Sequence, residues 1–182
     1  MGKSTKAFTI EQFNEIVSKA SKGKMDLQAA KKAGLISDEF QNHLNLAVTE
    51  VNGCTLCSYK HSKDALELGM SEDEIKMYLS GDMKNANKDE AVGLMFAQHY
   101  AETGGIYSIE AWDRVVETYG EKKANGVLGA IKMAMFGNAF GISVGSIWNR
   151  IKLNPPTNSN FKDEISIVCK GFLAMPKAIL KM

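Results

Sequence analysis

Glu50-Val51-Asn52-Gly53-Cys54-Thr55-Leu56-Cys57-Ser58-Tyr59-Lys60-His61 is the stretch on which the fold turns. An Asn-Gly pair between apolar runs is a common hairpin signature. The flanking residues argue otherwise. Upstream, Phe40, Leu44, Ala47, Val48 and Val51 recur at helical spacing behind Ser37, a residue type that caps helices. Downstream of Glu50, Cys54, Cys57 and His61 follow at intervals of four, three and four. On a continuous helix those intervals place all four on one face. Asn52-Gly53 therefore reads as a break between two helices. Such a break sets Cys54 at a helix N-terminus, where the partial positive charge favours thiolate, with Cys57 about one turn in. His61, one turn further, is placed to take a thiol proton, and Glu50 to orient that base.

The rest of the chain repeats this helical character. All three prolines lie beyond residue 154, and apolar/polar alternation is scarce. Thr9-x-x-Gln12, Ser71-x-x-Glu74 and Asn87-x-x-Glu90 are capping-box patterns ahead of apolar helical stripes. Ser108 opens a stripe with Trp112, Val115, Val116 and Tyr119, which Gly120 ends. A long apolar pattern from Glu121 to Ile151 is interrupted by Gly137, Gly141 and Gly145, where a helix or a ligand approaches the backbone. The expectation is an all-α protein of eight or nine helices. Residues 1–154 form the domain. Residues 155–182 form a linker, Pro155-Pro156-Thr157-Asn158-Ser159-Asn160, and a helical tail with Ile165, Val168, Phe172, Leu173, Ile179 and Leu180, docked on the domain or at a subunit interface.

Composition bounds the function. The 182 residues are 45% hydrophobic and 24% charged, ordinary for one globular domain and unlike a disordered chain. With 22 Lys+Arg against 21 Asp+Glu, no basic excess points to nucleic acid. The densest basic stretch, Lys19 to Lys32, lacks an aromatic residue to stack on a base and reads as a solvated face. No signal peptide or membrane-length apolar run is read, so a cytoplasmic location and no membrane partner are expected. Three cysteines do not make a disulfide scaffold. In a reducing compartment, a Cys-x-x-Cys is a redox or metal device first.

Two chemistries compete for that device. A nucleophilic thiol, a resolving thiol and a base are the parts of thiol redox catalysis. Cys54, Cys57 and His61 are also three potential zinc ligands, with Cys169 or His43 as a fourth. Against zinc, all three fall on one short helical segment and no second ligand pair exists. Cys169 otherwise reads as a buried or interface thiol, and His43 as a residue able to share the face of Glu50. The closely spaced glycines 137–145 follow no strand, so no dinucleotide cofactor is expected.

Asn52-Gly53-Cys54-x-x-Cys57-x-x-x-His61 resembles the core motif of the alkylhydroperoxidase D / carboxymuconolactone decarboxylase family. The resemblance runs from about Ser37 to Pro155. It includes the helix after His61 ending at Gly69, the capped helix from Ser71, and Tyr119-Gly120 ahead of Phe136-Gly137-Asn138. It implies a compact all-helical fold with the motif at the start of a central helix, assembled as a homo-oligomer. It also implies thiol-dependent reduction of hydroperoxides, a peroxiredoxin-type antioxidant activity. In that reading Cys57 attacks the peroxide, Cys54 resolves, and His61 belongs to a proton relay. No bound cofactor is needed, but an external thiol or dithiol reductant is. The family's usual glutamate, twelve residues before the first cysteine, is Asn42 here, and the histidine some members carry before the second cysteine is Leu56. Glu50 is the substitute carboxylate. The wider family also contains lactone decarboxylases, and a non-enzymatic redox sensor or zinc-bound module is a third possibility.

Overall fold

A computed structural model describes residues 5–81 and 87–174. Ile179 and Leu180 of the expected tail lie outside the described residues. The described chain is all-helical, with eight helices and no strand. They are α1 (Ile10–Lys32), α2 (Asp38–Asn52), α3 (Thr55–Glu67), α4 (Glu72–Ser80), α5 (Ala91–Glu102), α6 (Ile109–Tyr119), α7 (Glu121–Ile151) and α8 (Phe161–Ala174).

The helix starts follow from local chemistry. Thr9 and Ser71 form full capping boxes with Gln12 and Glu74, and Ser37 and Ser108 accept backbone N–H groups three residues on. The pattern at Asn87 is the exception. Asn87 Oδ1 accepts from Asp89 N instead, and α5 starts at Ala91 without a side-chain cap. The Glu90 carboxylate, the other half of the expected box, bonds His43 Nδ1 at 2.5 Å. A partly buried, charge-assisted bond to a distant helix outcompetes a cap at the surface.

The long helix α7 is the axis of the molecule. It runs unbroken through Gly137, Gly141 and Gly145, which sequence reading had treated as interruptions. By length and composition it is long and apolar enough to span a membrane, contrary to the expectation of no apolar run of that length, and 67% of its most apolar window is buried within the protein. Helices α1, α2, α3, α5, α6 and α8 all pack on it. Its closest neighbour is α1: a Cβ built on Gly129 would lie 2.3 Å from the Gly23 carbonyl oxygen. Glycine on both helices lets the backbones touch there. Leu44, Leu46 and Val48 of α2, Leu94 and Ala97 of α5, and Val127 and Ile131 of α7 fill the main core.

Beyond the Pro155-Pro156 linker, α8 lies on α7. Glu164 accepts two hydrogen bonds from the Arg150 guanidinium, at 2.7 and 3.0 Å. The Phe172 ring meets Phe140 edge-on at 5.3 Å. Helix α8 also anchors the start of α1, because Asp163 accepts the Ile10 N–H at 3.1 Å.

Candidate functional site

The break at Asn52-Gly53 builds the site. Gly53 closes α2 in the left-handed conformation (φ 68°), which a side chain would strain, and the chain turns directly into α3. Cys54 is the N-cap of α3, and its sulfur accepts the Cys57 N–H at 3.3 Å. The sulfur thus stands where a serine or aspartate oxygen normally caps a helix. Cys54 and Cys57 are joined as a disulfide, with Cα atoms 5.2 Å apart. Cys54 is 1% exposed and Cys57 is 8% exposed.

Two elements enclose the pair. From below comes α7: a Cβ on Gly141 would lie 2.8 Å from Cys57 Sγ and 2.9 Å from Cys54 Sγ. Ile142 packs beside them, and the Gly137 carbonyl oxygen lies 3.7 Å from Cys57 Sγ. The other element is the N-terminal segment, which contributes the Phe8 ring. Lys6 N donates to Asn52 O at 2.9 Å and Thr5 Oγ1 to Gly53 O at 3.1 Å, so the segment is tied to the α2–α3 turn.

His61 lies one turn beyond Cys57 on α3, with its side chain 13% exposed. It makes no hydrogen bond to either sulfur, and its buried Nδ1 has no hydrogen-bond partner. Burial chiefly, and then the Lys60 ammonium, lower its pKa to about 4, against the opposing pull of Asp64. The imidazole is therefore neutral near pH 7. Asp64 Oδ2, 3.6 Å from His61 Nδ1, is the carboxylate set beside it. Asn42, at the position where the resembled family carries glutamate, reaches the same residue from α2: its Nδ2 donates to the His61 carbonyl at 3.1 Å.

The remaining sequence candidates disperse. The buried Glu50 carboxylate lies against Gly81 at the end of α4, where an added Cβ would meet Oε1 at 3.1 Å. His43 is engaged by Glu90 and stacks on Tyr78 with centroids 4.6 Å apart, which removes it as a fourth ligand beside the cysteines. Cys169 was expected to be a buried or interface thiol; it is exposed on α8 and so not buried within the chain, because it falls outside the face of α8 that carries Glu164, Ile167 and Gly171 inward.

Phe8 and a buried polar chain escaped the sequence, and Gly141 was marked only together with Gly137 and Gly145 as a place of close approach. Phe8 lies in a segment without periodicity. Gly141 is one of three similar glycines. A buried polar chain behind the turn links Thr49 Oγ1 to Asn138 Nδ2 (3.0 Å), Asn138 Oδ1 to Asn52 Nδ2 (3.4 Å) and Asn52 Nδ2 to Met135 Sδ (3.2 Å). Within that chain, Asn138, a polar residue in the apolar run of α7, carried the visible signal. Comparisons with family models, with curated proteins and with solved structures gave no match to this chain.

Proposed function

We propose that the protein is a thiol-dependent peroxidase working through Cys54 and Cys57, on an alkylhydroperoxidase D-like fold. The observation that carries this reading is the Cys54–Cys57 disulfide at the start of α3, one turn from a histidine kept neutral by burial. A neutral imidazole can accept a proton at pH 7, as a general base must.

The exposures divide the labour. Cys57 is the less buried residue of the pair, so it meets the peroxide. Its proton passes to His61, directly or through water. The thiolate attacks the distal oxygen of ROOH, the O–O bond breaks, and RO⁻ takes a proton to leave as ROH. Cys57 is now a sulfenic acid. Cys54, whose thiolate is stabilised by the Cys57 N–H and the helix N-terminus, displaces hydroxide from it, which leaves as water. The disulfide formed is the one present here. An external dithiol then attacks Cys57, and Cys54 departs as the capped thiolate; a low-pKa thiol leaves faster. The reductant ends oxidised and both cysteines end reduced. Asp64, set beside His61, is the carboxylate available to assist it. A cytoplasmic homo-oligomer that meets a reducing partner protein completes the proposal.

The deep burial of both sulfurs favours one second reading, a redox sensor that oxidises without turnover. Thiol titration before and after peroxide, with peroxide loss followed alongside, separates the two. Catalytic peroxide loss that vanishes in Cys57→Ser supports the peroxidase. Trapping of a sulfenic acid in Cys54→Ser assigns the resolving role. Free thiols at both positions after peroxide treatment would sink both readings.

A further inference from the structure

A cavity of about 280 Å³ lies between α1, α7, the end of α5 and the N-terminal segment, and shares Phe8 with the surroundings of the disulfide. Phe8 is common to both: it packs on the cluster of Cys54, Cys57 and Ile142, and it walls the cavity. Met135, which receives Asn52 Nδ2 from the α2–α3 turn, also lines it. Ile16 and Tyr100 extend the apolar wall. An apolar cavity of about 150 Å³ holds benzene, so this one accommodates a larger organic body.

The charges around the cavity are uneven. Lys6 is already used: its Nζ donates to the Ala101 carbonyl at the end of α5, and Glu102 lies near it. Glu15 stands exposed at the rim. Lys19 and Lys132 line the cavity with no hydrogen bond or ion pair. The stem of Lys132 is packed against Gly23. Its head is partly withdrawn from water, and that burial is the largest cause of its lowered pKa; the carboxylate of Asp26 opposes the shift, and the ammoniums of Lys22 and Lys19 add to it. A half-buried ammonium with no direct ion pair is costly, and an anion at its head offsets that cost.

We infer that this cavity binds a small amphipathic carboxylate, its anionic end held by Lys19 and Lys132 and its apolar body directed along Ile16 and Met135 toward Phe8. Resting on the peroxidase reading, the inference also names a substrate class: hydroperoxides of short organic acids, whose tail would lie one side chain from the cysteine pair.

Calorimetry of the oxidised full chain tests the site without peroxide, using octanoate as ligand and octanol as its neutral counterpart. Lys132→Met keeps the packed stem and removes the charge; Lys19→Met is the second variant, at a more exposed position. Expected is octanoate binding to the unmodified protein, weakened about fivefold or more relative to octanol in either folded variant. No octanoate binding, or a loss below about fivefold in every variant whose thermal melt is intact, overturns the site. The peroxidase reading is decided separately, by hydrogen peroxide turnover of the unmodified chain. Octanoate binding that persists in the Cys54→Ser, Cys57→Ser double variant shows the site to be independent of that reading.

Discussion

Alanine at Gly137, Gly141 and Gly145 should give opposite outcomes on one helix. All three sit inside α7, four residues apart, where glycine costs about 0.8–1 kcal/mol relative to alanine. A Cβ on Gly137 or Gly145 has nothing within 4 Å. Those two variants gain the helix propensity unopposed, and their melting temperatures should rise by about 2–4 °C, the shift one kcal/mol gives in a chain of this size. At Gly141 the Cβ would stand 2.8 and 2.9 Å from the two sulfurs. Neither sulfur can swing aside while they are bonded together, so the backbones of α3 and α7 must part. Overpacking of this kind costs about 1–3 kcal/mol. Gly141→Ala should therefore melt about 2–12 °C below the other two variants. The gap should narrow after reduction, because separate thiols can turn about their own side-chain bonds. Differential scanning calorimetry of the three variants, oxidised and reduced, reads this directly. A Gly141→Ala melting temperature that rises with the other two would refute the packing of the disulfide against α7.

Further expectations follow from the same geometry. His61 has a depressed pKa in the folded chain, so the unfolded chain binds more protons between about pH 6.5 and pH 4. Stability should be complete above pH 6.5 and fall by roughly 3 kcal/mol on acidification to pH 4, and His61→Gln should flatten that slope in urea titrations. Asn138→Ala leaves the buried Thr49 hydroxyl and Asn52 amide short of partners, and chemical denaturation should show a loss of about 1–3 kcal/mol. Phe8→Ala uncovers the disulfide, so reduction by dithiothreitol, followed by thiol release, should be faster than in the unmodified protein; an unchanged rate would mean Phe8 is not the cover.

The parts of this structure legible in sequence are those decided within a turn or two. Thr9, Ser37 and Ser71 cap where their own neighbours require it, and Gly53 ends α2 because the next residues start a new helix. The disulfide partners are three residues apart and on adjoining positions of one turn. What was misread depends on distant residues. Asn87 failed as a cap because Glu90 was claimed by His43, 47 residues away. The glycines of α7 looked like breaks because their neighbours, a disulfide at Gly141 and open space at the other two, are not written in α7 itself. Asp64 was overlooked beside His61 although three residues separate them, since the sequence offered Glu50 for the same role.

The N-terminal segment that covers the cysteines is itself held by residues far along the chain. Thr5 O accepts from Asn158 Nδ2, and Ile10 N donates to Asp163, each across 153 positions. Contacts of such separation form late, since the largest loops must close before they are rewarded. During synthesis the Cys54–Cys57 pair would thus pass most of its time uncovered, open to whatever oxidant or reductant the surroundings hold, until α8 emerges. Chains truncated before Asn158 should display the pair to alkylating reagents as a nascent chain does, and an equal labelling rate in the full-length reduced protein would show that the closure offers no protection.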